Sequence, residues 1–347
     1  MSWVKVSSDW RAHEYFVACN SSRTILSFVR IAAAPAPRAA PRAMRASTST
    51  SASTAPGPFV VVLSPAKALN ERAMTSAQSE IVRVSTPRFA ERANALAACA
   101  KKELSAGKIK SLMGVSDAIA SLNAKRFQTF EKATKKPCVL AFDGPAFKHL
   151  DAPSFTTVDE VEYLQRHLRI LSGLYGTLKP YDDVAPYRLE MGTKWAAGDA
   201  KDLYEYWGDD IANALVDDVE ALAKESNSST PFVVNCASQE YFKSVKLDVL
   251  KTRGVPVYTM TFPGPSVYAK QARGAMVRHC VDAKVRAPED LKTFQGVDGE
   301  WRFDAKASTE FNFVFTRGAA AKTATAKRPA SATKKTLDQS KRAKAGG

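Results

Sequence analysis

Five short apolar runs constrain this chain more than any other feature. Phe59-Val-Val-Val-Leu63, Cys138-Val-Leu-Ala-Phe142, Phe232-Val-Val-Asn235, Val257-Tyr-Thr-Met-Thr-Phe262 and Phe311-Asn-Phe-Val-Phe315 are each four to six residues long, and several are opened by Pro. Runs of that length, rich in Val and Phe, predict buried β-strands. Between them the apolar spacing turns helical over 88–103, 116–132, 158–172, 199–224, 239–252 and 266–284. Strands interleaved with helices imply an α/β or α+β single domain. The helix from Val158 is the best defined, because Thr157 and Glu160 form a capping box and Val161, Leu164, Leu168 and Leu171 make one apolar stripe. Gly173 is expected to end it, with Arg166 and Arg169 on its other faces.

Charge matters here only through its position. The formal net charge is +15 in 347 residues, but residues 1–57 carry seven basic and two acidic side chains and residues 318–347 carry eight and one. The body between them is close to neutral, so a nucleic-acid or anionic partner must be sought in local patches. With 45% hydrophobic residues that body can close one large core, and no run of eighteen apolar residues is available to span a membrane. Tyr15 to Gly57 holds no acidic residue, while Arg23, Arg30, Arg38, Arg42 and Arg45 alternate with Ala, Ser, Thr and Pro. That is transit-peptide composition, or else an extension upstream of a start at Met44. The last thirty residues form a basic tail expected to be disordered, in which Lys327-Arg328 and Lys341-Arg-Ala-Lys344 have the layout of a bipartite nuclear-import signal. Domain limits of 1–57, 58–317 and 318–347 follow.

Five cysteines never approach closer than 39 residues and the four histidines are equally scattered. Disulfide scaffold, zinc finger and metal site are therefore not expected, and no cofactor is read from the sequence.

Polar residues gather where the apolar runs stop. Ser64-Pro-Ala-Lys67 follows the first strand, placing a hydroxyl and an ammonium at its C-terminal edge. From His167 to Gly192, Arg169, Ser172, Tyr175, Lys179, Asp182, Tyr187, Arg188 and Glu190 crowd between Gly and Pro, with Arg188 and Glu190 equally readable as a structural ion pair. After the third strand come Asn235, Cys236, Ser238, Glu240 and Lys243, where Ser238 suits a helix N-cap.

These three segments, with Leu203-Tyr-Glu-Tyr-Trp-Gly208 and Tyr268-Ala-Lys-Gln-Ala-Arg-Gly274, resemble the YaaA family, the peroxide stress protein family of bacteria. The resemblance runs from about Phe59 to Arg317. It implies a cytosolic protein that protects against hydrogen peroxide by lowering free iron and limiting iron-driven DNA damage. It also implies a compact α/β fold with a positively charged cleft and a helix-hairpin-helix DNA-binding element.

Leu112-Met-Gly-Val-Ser-Asp-Ala-Ile-Ala120 matches such a hairpin: Gly114 permits the tight turn and Ser116 opens a helix whose free N–H groups can face a phosphate. Lys108, Lys110, Lys125 and Arg126 flank it, and double-stranded DNA is the expected partner, contacted without sequence preference. Ser116 stands where a second Gly is usual, Phe142-Asp-Gly-Pro-Ala-Phe147 departs from the Gly-Asp-Val-Tyr of many relatives, and Cys236 replaces a common aliphatic residue.

An enzyme is the alternative. Its cleft would join Ser64, Lys67, Arg169, Arg188, Glu190, Asn235, Ser238, Glu240, Lys243 and Arg273, with cations clamping a phosphate-bearing or nucleic-acid substrate and Glu190 or Glu240 acting as general acid or base. A monomer is expected, with a cytosolic, organellar or nuclear address depending on which end is read.

Overall fold

The computed structural model describes residues 57–318 apart from Ser229. The expectations for the transit segment, the Met44 start and the basic tail fall outside the described residues.

Within them lie nine strands: β1 (Phe59–Leu63), β2 (Lys136–Pro137), β3 (Leu168–Ser172), β4 (Gly176–Leu178), β5 (Asp183–Val184), β6 (Phe232–Asn235), β7 (Val257–Thr261), β8 (Trp301–Phe303) and β9 (Asn312–Arg317). Twelve α-helices join them: α1 (Ser76–Ile81), α2 (Ala90–Glu103), α3 (Ala106–Met113), α4 (Asp117–Gln128), α5 (Cys138–Ala141), α6 (Pro145–Leu150), α7 (Val158–His167), α8 (Leu203–Trp207), α9 (Asp210–Ser226), α10 (Gln239–Phe242), α11 (Leu247–Thr252) and α12 (Ser266–Asp282). None is long and apolar enough to cross a membrane.

Seven strands form one sheet in the order β4-β3-β1-β6-β7-β9-β8, parallel from β3 to β9 and antiparallel only at its two edges. Every residue of β1, β3 and β6 is buried, as central parallel strands covered on both faces are, including the polar Arg169, Ser172 and Asn235. Four of the five apolar runs are strands, and the fold is a mixed α/β single domain.

The fifth run is corrected. Cys138–Ala141 is one helical turn, α5, with Cys138 N–H donating to the Asp182 carbonyl and Val139 N–H to the Pro180 carbonyl. A short apolar run looks the same whether strand or buried turn, and here Pro137 ends the β2 pairing just before it.

The 158–172 helix is corrected as well. Its capping box is present, but α7 stops at His167 and Leu168–Ser172 becomes β3, in parallel register with β1 through Val61 and Leu168, Val62 and Arg169, and Leu63 and Ile170. Leu168 and Leu171 fit the helical stripe and are buried in either state, so the pattern cannot see the switch, and pairing with β1 decides it. Gly173 thus follows a strand. The 199–224 helix breaks at Gly208, where φ is 48°, and 239–252 divides into α10 and α11.

Chain order makes the sheet diverge. From β1 the chain builds β3 and β4 on one side, then returns to place β6 on the other and continues outward to β7 and β9. The C-terminal ends of β1 and β6 therefore open at a topological switch point, where α/β sheets leave a crevice for ligands.

Candidate functional site

At that switch point Ser64 and Ser238 meet. Pro65 cannot continue the ladder, so the chain leaves the sheet after β1. After β6, the Asn235 Oδ1 accepts the Ala237 N–H at 2.9 Å and bends the backbone out. The Ser238 N–H then donates to Ser64 Oγ at 2.8 Å, and Ser64 Oγ donates to Ser238 Oγ at 3.2 Å. Ser238 does precede α10, but its hydroxyl makes no N-cap bond there.

These two serines open on a cavity of about 300 Å³ whose other walls are Pro65 to Ala68, Asp143 to Phe147, Cys236, Glu240, Tyr241, Lys270 and Arg273. Helices α6 and α12 hold its far side in near backbone contact, since a Cβ on Gly274 would stand 1.8 Å from the Ala146 carbonyl oxygen. That approach fixes Arg273 beside the cavity.

Electrostatics sort the charged lining. Lys67 Nζ lies 3.2 Å from Glu190 Oε1, which also receives Arg188 Nη2 at 3.0 Å. Asp143 pairs with Lys148 at 3.4 Å. The Glu240 carboxylate accepts the Gly192 N–H at 3.1 Å, while the Tyr204 hydroxyl donates to the Glu240 carbonyl at 2.9 Å and Lys243 Nζ sits 4.7 Å above the Tyr204 ring. The Glu240 carboxylate and the Lys243 ammonium thus form no ion pair with each other among the described residues, although both residues contact Tyr204. Arg273 has its Nε buried without a partner, and burial lowers its pKa. The Cys236 thiol, buried beside Arg273, is pushed up to about 12 by desolvation, against the weaker pull of the guanidinium.

Asn235 and Lys243 line a neighbouring groove toward β7, and Arg273 lines both spaces. There the Asn235 amide donates to Thr259 Oγ1 at 3.4 Å.

Arg169 is not part of this constellation. On β3 it is 4% exposed and its Nε donates to Asp218 of α9 at 2.6 Å, so it is a buried ion pair rather than a clamp. The other polar residues before Arg188 are also internal: Ser172 and Tyr187 share a 2.6 Å hydrogen bond, Tyr175 accepts the Ala185 N–H, and Asp182 accepts from Ser85 and from the Lys179 N–H. Burial raises the Asp182 pKa from its ordinary value, against the hydrogen bonds from Ser85 and the Lys179 N–H. Lys270 and Asp143 were missed. Lys270 lies one helical turn before Arg273 on α12, a spacing that could have found it.

The corner between α3 and α4 is a separate feature. Gly114 closes α3 in the left-handed conformation (φ 58°, ψ 45°), and Ser116 Oγ accepts the Ile119 N–H as N-cap of α4. Lys108 and Lys125 are exposed and form no ion pair among the described residues, whereas Lys110 Nζ is 2.8 Å from Asp117 and Arg126 pairs with Glu71.

Residues 59–307 match the family model described as "Peroxide stress protein YaaA". Proteins described as UPF0246 proteins of Burkholderia mallei, Burkholderia pseudomallei and Burkholderia thailandensis are each 41% identical over 272 residues, covering 76% of this chain and 100% of the relative.

Proposed function

The chain belongs to the peroxide stress protein YaaA family, and from that premise we propose that it defends against hydrogen peroxide as a DNA-associated protein that limits iron-driven damage. The lowering of free iron rests on family membership. The DNA contact is supported by one observation, the α3–α4 corner: a left-handed Gly114 followed by a capped α4, flanked by the exposed Lys108 and Lys125, which form no ion pair among the described residues. Such a helix-hairpin-helix turn offers backbone N–H groups and cations to phosphate oxygens without reading bases. Organelle import directed by residues 1–57, or nuclear import by the tail, would set where this happens.

The test is fluorescence anisotropy on a random-sequence duplex, with survival under peroxide measured in a bacterial strain lacking its own relative. Gly114→Val should weaken duplex binding several-fold and reduce survival, because a β-branched residue strains the left-handed turn, while a Cβ at this position would meet no atom within 4 Å beyond its chain neighbours and its own helix backbone. Unchanged binding by a folded Gly114→Val protein would remove the corner from the interface.

A further inference from the structure

We propose that the cavity between the ends of β1 and β6 binds a small phosphomonoester, its phosphate held by Arg273 and Ser238 and its remainder by the apolar wall of Pro65, Ala146 and Phe147. Three independent observations converge on it. The cavity stands at the switch point of a parallel sheet, and its volume of about 300 Å³ is at the small end of the range for small-molecule sites. That space suits a ligand of nucleotide size and excludes a duplex.

Arg273 is the second observation. Of the other cations that line the cavity, Lys67 is committed to Glu190, while Lys270 forms no ion pair among the described residues; nearby, Arg188 shares the Glu190 carboxylate and Lys243, on the neighbouring groove, sits over the Tyr204 ring. The Arg273 guanidinium, half-buried on α12, makes no ion pair or hydrogen bond among the described residues. A partly desolvated cation without a counter-charge costs free energy that an anionic ligand would offset, and a guanidinium engages a phosphate through two parallel N–H donors.

Hydroxyl geometry is the third. Ser64 Oγ spends its proton on Ser238 Oγ while accepting the Ser238 N–H, so the Ser238 hydroxyl proton is left to donate into the cavity. Lys270 at the rim supplies a second positive charge. Two cations that form no ion pair among the described residues match a phosphomonoester, which carries about −1.5 to −2 near pH 7, better than a single carboxylate. None of these residues lies on α3 or α4, so this site and the DNA corner can fail separately.

Calorimetric titration of the full chain with AMP, inorganic phosphate and adenosine tests it. AMP should bind saturably and adenosine at least about tenfold more weakly, a loss worth about 1.4 kcal/mol. Arg273→Gln should weaken AMP at least about tenfold and Ser238→Ala several-fold, with duplex DNA affinity unchanged in both. Lys270→Gln, at an exposed position, gives a milder loss with no risk to folding. The proposal is overturned by equal binding of AMP and adenosine, by no saturable binding of phosphate or AMP at millimolar concentration, or by unchanged AMP affinity in folded Arg273→Gln or Lys270→Gln proteins.

Discussion

The Lys67 ammonium and the Arg188 guanidinium share one carboxylate oxygen of Glu190, at 3.2 and 3.0 Å. This joins the segment leaving β1 to the segment that follows β5. The partners differ in exposure: the Lys67 side chain is 66% exposed, the Arg188 and Glu190 side chains 14% and 12%. Water screens the first contact and only weakly the second.

Glu190→Ala should therefore cost about 2 kcal/mol, since it strands a mostly buried guanidinium. Lys67→Ala should cost less than about 1 kcal/mol. Urea unfolding of the two variants checks the asymmetry, and equal costs would show that Glu190 is held some other way.

The Arg169–Asp218 pair gives a larger effect. Asp218→Ala leaves Arg169 buried beside β1 and should destabilise by about 3 kcal/mol or more, although Arg88 also loses a partner. Combining Arg169→Met with Asp218→Leu should restore most of that loss. A double variant no more stable than Asp218→Ala would contradict a structural role.

His167 makes stability depend on pH. Its Nδ1–H donates to the Phe59 carbonyl at 2.8 Å, its Nε2 is buried without a partner, and desolvation lowers its pKa from 6.5 to about 4. The unfolded chain takes up a proton below pH 6.5 that the folded chain refuses until about pH 4. This contribution is complete above the unfolded value and is lost as pH falls through that window, by about 3 kcal/mol. Unfolding free energies at pH 7, 5.5 and 4.5, compared with His167→Phe, should show a flatter acid limb in the variant.

For DNA, a chain of residues 58–317 retains three of the fifteen net positive charges, so its salt dependence reports the corner. Lys108→Ala and Lys125→Ala should each reduce the slope of log affinity against log salt by about 0.9. Asp117→Asn should strengthen binding, because it frees Lys110. Weaker binding by Asp117→Asn would mean that the ion pair itself shapes the contact.

Thiol reactivity should be confined among the described cysteines to Cys99, which is partly exposed. Cys138, Cys236 and Cys280 are buried, and burial raises all three thiols. Peptide mapping after brief iodoacetamide treatment at pH 8 checks this, and rapid labelling of Cys236 would show that the cavity opens further.

The sequence by itself determined four strands, the α7 capping box, the Gly114–Ser116 corner and the family. Each is written in local pattern: consecutive apolar residues, a cap spaced three apart, a glycine before a capping serine. Only the tertiary structure decided that Leu168–Ser172 is strand rather than helix, that Cys138–Ala141 is a helical turn, and that Arg169 and Arg188, close in sequence, face Asp218 and Glu190 respectively. It also decided which arginine of the cavity has no partner among the described residues. The reason is that apolar spacing records only burial, which helix and strand satisfy equally in short segments, whereas strand pairing and charge neutralisation depend on partners that folding brings in from elsewhere, 49 residues on for Arg169 and Asp218 and more than a hundred for β1 and β3.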